Sequence, residues 1–204
     1  MTVAIPQIFV AALGNLPMPL TRHRRVPVPL HVRSTDQYPF SLGQYVLDAL
    51  AAHLGIRMSS EKHGVIGRGT VILGEIPVSL ILYKSKSFMN VSGPSIAQVY
   101  RNSVKSPNAM IILQDSMSHR AEQLSVKLGG SANGHNGVKS IISALGGEQG
   151  FYRFRLGIGD RGGTDAATYV MGKLTHHERD FWAEDGLVNV LEELEKIARK
   201  ASGQ

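Results

Sequence analysis

The residues best suited to chemistry in this sequence are polar side chains close to the ends of predicted strands. Asn15 with His23, Asn90 and Asp115 follow three such strands, and His135 with Asn136 opens a predicted helix. Ligands in open α/β sheets bind outside the carboxyl ends of the strands, so these side chains are expected to line one pocket. A neutral imidazole such as that of His23 can take a proton from water near pH 7, and a carboxylate such as that of Asp115 can fix its tautomer. Asparagine amides can position a carbonyl or stabilise its oxyanion. The set predicts hydrolysis by water, without a metal ion or a covalent intermediate.

A glycine-rich stretch over residues 126–139 carries a second group of polar residues. It runs from a predicted strand through a loop into an apolar helical pattern, and it holds Lys127, His135, Asn136 and Lys139. Asn136 is predicted to cap the helix that begins near Val138, and a helix N-terminus attracts anions. A long, well-capped surface turn explains the stretch equally well.

Ordinary structural roles compete with each of these assignments. A histidine that follows an arginine is most often a solvated surface residue, and Asp or Asn at a strand end commonly forms a turn. His176 and His177 are adjacent and do not share a helix face, and the eight histidines show no zinc-motif spacing, so we predict no metal site. The residues alone indicate a basic α/β protein that could be a hydrolase.

Composition sets the limits of these hypotheses. The chain of 204 residues, 43% hydrophobic and 19% charged, is predicted to form a single domain over residues 1–204. It contains no cysteine, no apolar run long enough for a membrane and no signal peptide pattern, so a cytoplasmic protein is expected, or a mitochondrial one if the true N-terminus lies upstream. The net charge of +6 favours an anionic partner such as nucleic acid, although an ordinary basic enzyme has the same charge.

Hydrophobic periodicity predicts a three-layer α/β/α sandwich with a mixed, mostly parallel central sheet. Helices are expected from 41 to 54, from 94 to 100 and from 138 to 145, with one continuous helix from 175 through 197. Residues 24–40 show no periodicity, and we predict an exposed, disordered loop there. Strands are predicted over residues 8–13, 65–73, 78–83, 110–113, 123–128 and 152–159, with a further short strand over 169–174.

Several short motifs together resemble the bacterial-type peptidyl-tRNA hydrolase family, in a eukaryotic, fungal-like form. They occur in family order and cover the chain from about residue 8 to residue 174. The most specific are Phe-Met-Asn-Val-Ser-Gly at 88–93 and Gly-His-Asn-Gly at 134–137. The others are Ala-Leu-Gly-Asn at 12–15, Thr-Arg-His at 21–23, Gln-Asp at 114–115, Lys-Leu-Gly-Gly at 127–130 and Phe-Arg-Leu-Gly-Ile-Gly at 154–159.

The resemblance implies hydrolysis of the ester that joins a peptide to the 3′ ribose of tRNA. His23 matches the family's general base and Asp115 the carboxylate that orients it. No cofactor is implied, and we expect a monomer whose partner is the acceptor stem and 3′ end of peptidyl-tRNA. Asn15, Asn90 and Asn136 match asparagines that hold the peptide, the 3′ end and the water. Met89 matches an apolar wall of the peptide channel, and His135 is expected to bind substrate beside it. Lys127 and Arg155 match a cationic pair that binds a tRNA phosphate, and Lys139 is expected to assist them.

Three departures from the family pattern qualify these expectations. Leu16-Pro17 follows Asn15 where the family usually has Pro-Gly, and Ser116 follows Asp115 where a second acidic residue is common. The seventeen residues at 24–40 separate His23 from the next helix, and we interpret them as an insertion, for example a translated intron. The alternatives are a catalytically inactive RNA-binding relative, like the plant splicing factors with this fold, and a small-molecule hydrolase that uses the same base.

Overall fold

The computed structural model describes residues 5–15, 42–165, 169–170 and 174–203. The predictions for His23 and for the 24–40 insertion lie outside these residues. The described strands form one mixed sheet in the order β2-β3-β4-β1-β5-β7-β6. The four central strands β4, β1, β5 and β7 run parallel to one another. At the edges, β3 pairs antiparallel with β4, β2 with β3, and β6 with β7. The strands are β1 Gln7–Ala12, β2 Met58–Ser60, β3 Gly64–Leu73, β4 Ile76–Ser85, β5 Met110–Ser116, β6 Leu124–Leu128 and β7 Tyr152–Gly157.

Helices cover both faces of this sheet. They are α1 Leu42–His53, α2 Gly93–Ser103, α3 Asn136–Ala144, α4 His176–Ala183 and α5 Asp185–Ser202. Alternate residues of a strand point to opposite faces. In β1, Ile8 and Val10 therefore pack with α1, α4 and α5, whereas Phe9 and Ala11 pack with α2 and α3. Buried side chains on both faces confirm the predicted three-layer sandwich. None of the helices in the described part of the chain has the length and apolar composition needed to cross a membrane.

The structure corrects three details of the predicted elements. The C-terminal helix is broken at Glu184, whose backbone angles are φ −118° and ψ −95°, so that α4 and α5 are separate helices. The break lets Trp182 enter the core at 1% exposure, against Gly186 of the next helix. Tyr169 and Val170, predicted as a strand, are helical, and the backbone N–H of Tyr169 donates to the carbonyl of Asp165. The short edge strand β2 was not predicted.

Candidate active site

Asn15 connects the end of β1 to the turn that follows β4. Its Oδ1 atom accepts a hydrogen bond of 2.9 Å from the backbone N–H of Met89. The segment before Asn15 is itself fixed, because the amide of Gln44 donates to the carbonyl of Gly14 at 2.9 Å and Leu13 bonds the backbone of Leu113. The side chain that the sequence analysis selected thus holds the turn after β4 in place.

The turn after β4 presents Met89 and Asn90. It is a short 3₁₀ helix over Met89–Val91, closed by a bond of 2.8 Å from the Ser92 hydroxyl to the carbonyl of Met89. Asn90 is exposed and Met89 is half-buried. A Cβ atom on Gly137, in the first turn of α3, would lie 2.9 Å from the Met89 side chain. The turn therefore contacts the start of α3, the second part of the site.

Asp115 and His135 form a polar pair at the centre of the site. The Nε2 atom of His135 lies 3.4 Å from Oδ1 of Asp115, and the two side chains are 12% and 15% exposed. The Nδ1 atom of His135 accepts a bond of 3.4 Å from the backbone N–H of Val138 and so caps α3. Because Nδ1 accepts, this network assigns the proton of the neutral ring to Nε2, which donates it to the carboxylate.

These contacts correct one prediction and add a pairing that the sequence analysis missed. The cap of α3 is His135 rather than Asn136, which is the exposed first residue of the helix. The sequence analysis paired Asp115 with His23; that pairing lies outside the described residues and stays a prediction. The pairing of Asp115 with His135 spans twenty positions of the chain, and neither motif signals it alone.

Two of the three predicted cations lie on one face of the strand pair β6–β7. Lys127 is opposite Arg153, and Ser125 is opposite Arg155, whose guanidinium donates to the Ser125 hydroxyl at 2.7 Å. Lys127 and Arg155 are thus diagonal neighbours, and both are half-buried. Lys139 is exposed on α3. Two of the three cations selected for a phosphate therefore occupy one surface.

Arg153, which the sequence analysis did not select, is almost completely buried at 1% exposure. Its guanidinium donates to the carbonyls of Ser131 at 2.6 Å and Gly129 at 2.8 Å, and so holds the glycine-rich loop in position. Burial, and then the charge of Arg155, lower the pKa of Arg153 from its usual value. Alternate residues of a strand share a face, so the predicted strand puts Arg153 and Arg155 on one face, but this pattern does not indicate which of them is structural.

A cavity of about 220 Å³ separates the loop after β5 from the glycine-rich loop. Asp115, His135 and Arg155 line it, together with Ser116 and His119. The Ser116 hydroxyl lies 2.7 Å from Nδ1 of His119, and burial, followed by the charge of Arg155, lowers the pKa of His119. Within the described residues, no group of three or more His, Asp or Glu side chains is arranged to hold a metal ion.

Comparison with known proteins relates this arrangement to a family. The family model for peptidyl-tRNA hydrolase matches residues 38–203. A peptidyl-tRNA hydrolase from Agathobacter rectalis is 36% identical over 141 residues, which cover 68% of this chain and 74% of the relative. One from Mycobacterium tuberculosis is 34% identical over 140 residues, covering 68% and 72%.

Solved structures show the same fold. A peptidyl-tRNA hydrolase from Acinetobacter baumannii superimposes with a TM-score of 0.73 at 23% identity, covering 95% of this chain and 89% of the other. A peptidyl-tRNA hydrolase in complex with n-propanol gives a TM-score of 0.74 at 24% identity, covering 97% and 91%. The family match begins after β1. In the structure, β1 nevertheless lies between β4 and β5 in the sheet, and Asn15, just after it, bonds the backbone of Met89. The match over 38–203 and the identity with the curated relatives place this chain in the peptidyl-tRNA hydrolase family.

Proposed function

We propose that this chain hydrolyses the ester bond between peptide and tRNA in peptidyl-tRNA and so releases free tRNA. The observation that carries the proposal is the pair of Asp115 and His135, 3.4 Å apart at the carboxyl edge of the sheet in a chain that belongs to this family. The edge also holds Asn15 and the Met89–Val91 turn, where a peptide could bind. This set supplies a carboxylate, an oriented imidazole and amides beside one cleft.

The chemistry requires a base for water and groups that orient the ester. We assign the base to His23, which follows Asn15 in the sequence, and the orienting carboxylate to Asp115. His135 donates a hydrogen bond from Nε2–H to the same carboxylate and, through Nδ1, accepts one at the helix start, so it fixes the position of both. Asn90 and Asn136 are both exposed, at the turn after β4 and at the start of α3, where they can donate to the substrate. Met89 forms an apolar surface between them.

A cleavage assay tests this assignment. The full chain should release tRNA from an N-acetylaminoacyl-tRNA, and both His23→Ala and Asp115→Asn should lose at least about 100-fold in kcat, as removal of a general base does. His53→Ala is a matched control, because His53 is an exposed residue at the end of α1. Binding of tRNA without cleavage by the unmodified chain, and by a chain lacking residues 24–40, would instead support an inactive RNA-binding relative.

We further propose that Lys127 and Arg155, with Lys139, bind a phosphate of the tRNA acceptor stem. The position of Lys127 and Arg155 on one face of β6 and β7 supports this proposal. Cations that contact phosphate give affinity without reading the nucleotide sequence. Lys127→Gln and Arg155→Gln should each reduce the slope of log affinity against log salt by about 1. Lys200→Gln, at the exposed end of α5, is the control. Salt-independent binding would exclude the phosphate contact and favour a small-molecule hydrolase.

We infer that residues 1–204 act as one monomeric unit. The large apolar side chains that the described residues expose are spread over several elements, with Ile72 on β3, Leu128 on β6 and Val188 on α5, and only Phe88 and Val91 share one turn. Sedimentation at assay concentrations should give a single species of 22.1 kDa. A species of twice that mass would contradict the inference.

A further inference from the structure

Gln44 is the one polar side chain among the buried residues of α1. It is 4% exposed, and the other buried side chains of this helix are apolar. A buried amide costs free energy unless it is hydrogen-bonded. The Nε2 atom of Gln44 donates to the carbonyl of Gly14 at 2.9 Å, across thirty positions of the chain. This bond accounts for an amide at an otherwise apolar position, and it ties the segment after β1 to the first turn of α1.

The Gly14 carbonyl depends on this bond. Gly14 is buried, and Gln44 is the only residue in the described part of the chain that donates to its carbonyl. The residue before Gln44 brings the helix close enough, because a Cβ atom on Gly43 would lie 2.7 Å from the carbonyl oxygens of Leu13 and Leu113. The first turn of α1 therefore packs directly on the backbone of β5 and of the segment that follows β1.

The bond reaches the candidate site through the next residue, Asn15. The carbonyl of Gly14 and the N–H of Asn15 belong to one planar peptide unit, so a rotation of the carbonyl turns the Asn15 backbone with it. The Oδ1 atom of Asn15 accepts the hydrogen bond of 2.9 Å from the backbone N–H of Met89. A Gly14 carbonyl without a partner would turn towards water, and Asn15 would then lose the orientation in which it holds Met89.

We infer that Gln44 is a positioning residue for the hydrolysis and acts through Asn15; the inference rests on the proposed hydrolase function. Gln44 is too deeply buried to contact the substrate. Its amide fixes the Gly14–Asn15 peptide unit, and Asn15 in turn holds the turn that presents Met89 and Asn90. Since catalysis is sensitive to displacements of about 1 Å, this buried bond affects the rate as well as the stability.

A double-mutant cycle in the cleavage assay tests this role. Gln44→Met keeps the length of the side chain and removes its donor. It should lower kcat/KM about tenfold, the effect of leaving a buried carbonyl without a partner. In a chain that already carries Asn15→Ala, the same change should lower kcat/KM by less than about twofold, because the residue through which Gln44 acts is gone. Gln98→Met, at an exposed position of α2, is the control and should leave kcat/KM unchanged.

A second measurement does not depend on activity. The methyl NMR signal of Met89, assigned with Met89→Leu, should move in Gln44→Met and in Asn15→Ala, and it should stay in place in Gln98→Met. Urea unfolding of the same variants measures any loss of stability separately. The cleavage assay is run without denaturant, where each variant is folded, so a lower kcat/KM does not reflect an unfolded fraction.

Two results would overturn the inference. One is an equal loss of kcat/KM from Gln44→Met with and without Asn15→Ala, which would show that Gln44 does not act through Asn15. The other is a Met89 signal that Gln44→Met leaves in place. If the unmodified chain does not cleave peptidyl-tRNA but Gln44→Met still moves the Met89 signal, the hydrolase assignment fails and the coupling from Gln44 to Met89 stands.

Discussion

Gly93, the first residue of α2, allows α2 to contact the backbone of α3. A Cβ atom at this position would lie 2.0 Å from the carbonyl oxygen of Ser140 and 2.3 Å from its carbon. The backbone N–H of Gly93 also donates to the Ser140 hydroxyl at 2.9 Å. Since the turn with Asn90 leads into α2 and His135 caps α3, this contact sets the distance between two parts of the site. We predict that Gly93→Ala damages both stability and catalysis.

The magnitude follows from the geometry. Ordinary contact of a Cβ atom begins at 3.4 Å, so the helices must separate by about 1.4 Å, and the obstructing atoms are backbone, which cannot rotate away. Overpacking of this kind costs about 1–3 kcal/mol, and loss of the bond to Ser140 adds about 1 kcal/mol. Gly93→Ala should therefore lower the free energy of unfolding by about 2–4 kcal/mol. A displacement near 1 Å at the reacting groups should lower kcat/KM by about 100-fold.

Urea unfolding and the cleavage assay, run on the same preparations, measure both effects. Gly163→Ala is the matched control, because a Cβ atom there meets no heavy atom within 4 Å. The control should retain the stability and kcat/KM of the unmodified chain. If Gly93→Ala behaves like Gly163→Ala, the reasoning is refuted, because the α2–α3 contact would then not set the geometry of the site.

Three further predictions concern single contacts. The pKa of His119 is lowered by burial and by the charge of Arg155, so the unfolded chain binds a proton at this residue more readily than the folded chain, and stability falls as the pH drops through about 6.5. In urea unfolding, His119→Gln should therefore lose less stability between about pH 7.5 and pH 5 than the unmodified chain. A loss equal to that of the unmodified chain would contradict this. Lys84 is 11% exposed and bonds the half-exposed carboxylate of Asp48 at 2.6 Å. Asp48→Asn leaves the buried Lys84 ammonium without its partner and should cost about 1–2 kcal/mol in urea unfolding, whereas Lys84→Met removes that charge and should be nearly neutral. Equal losses for the two variants would show that the buried Lys84 charge is not what makes Asp48→Asn costly. Thr175→Ala breaks the capping box with Glu178 and should cost about 1 kcal/mol, and an unchanged thermal midpoint would show that this cap contributes nothing.

The sequence by itself determined the local features of this protein. The apolar run at 8–13 predicted a buried strand, and its alternation assigns Ile8 and Phe9 to opposite layers. Thr175 and Glu178 have the three-residue spacing of a capping box, and the structure contains that box, because a cap involves only near neighbours in the chain. The positions of Asn15 and Asp115 at strand ends predicted one common edge of the sheet, since parallel strands end together.

Only the tertiary structure decided which distant groups meet. His135 pairs with Asp115, and Asn15 with Met89, across twenty and seventy-four positions of the chain. Periodicity records how each residue is buried, but it does not record strand register or the path of a loop. For the same reason it could not show that Arg153, rather than Arg155, bonds the backbone of the glycine-rich loop. The two arginines lie on the same face of β7, but the folded loop buries Arg153 against the carbonyls of Ser131 and Gly129, whereas Arg155 donates to the Ser125 hydroxyl.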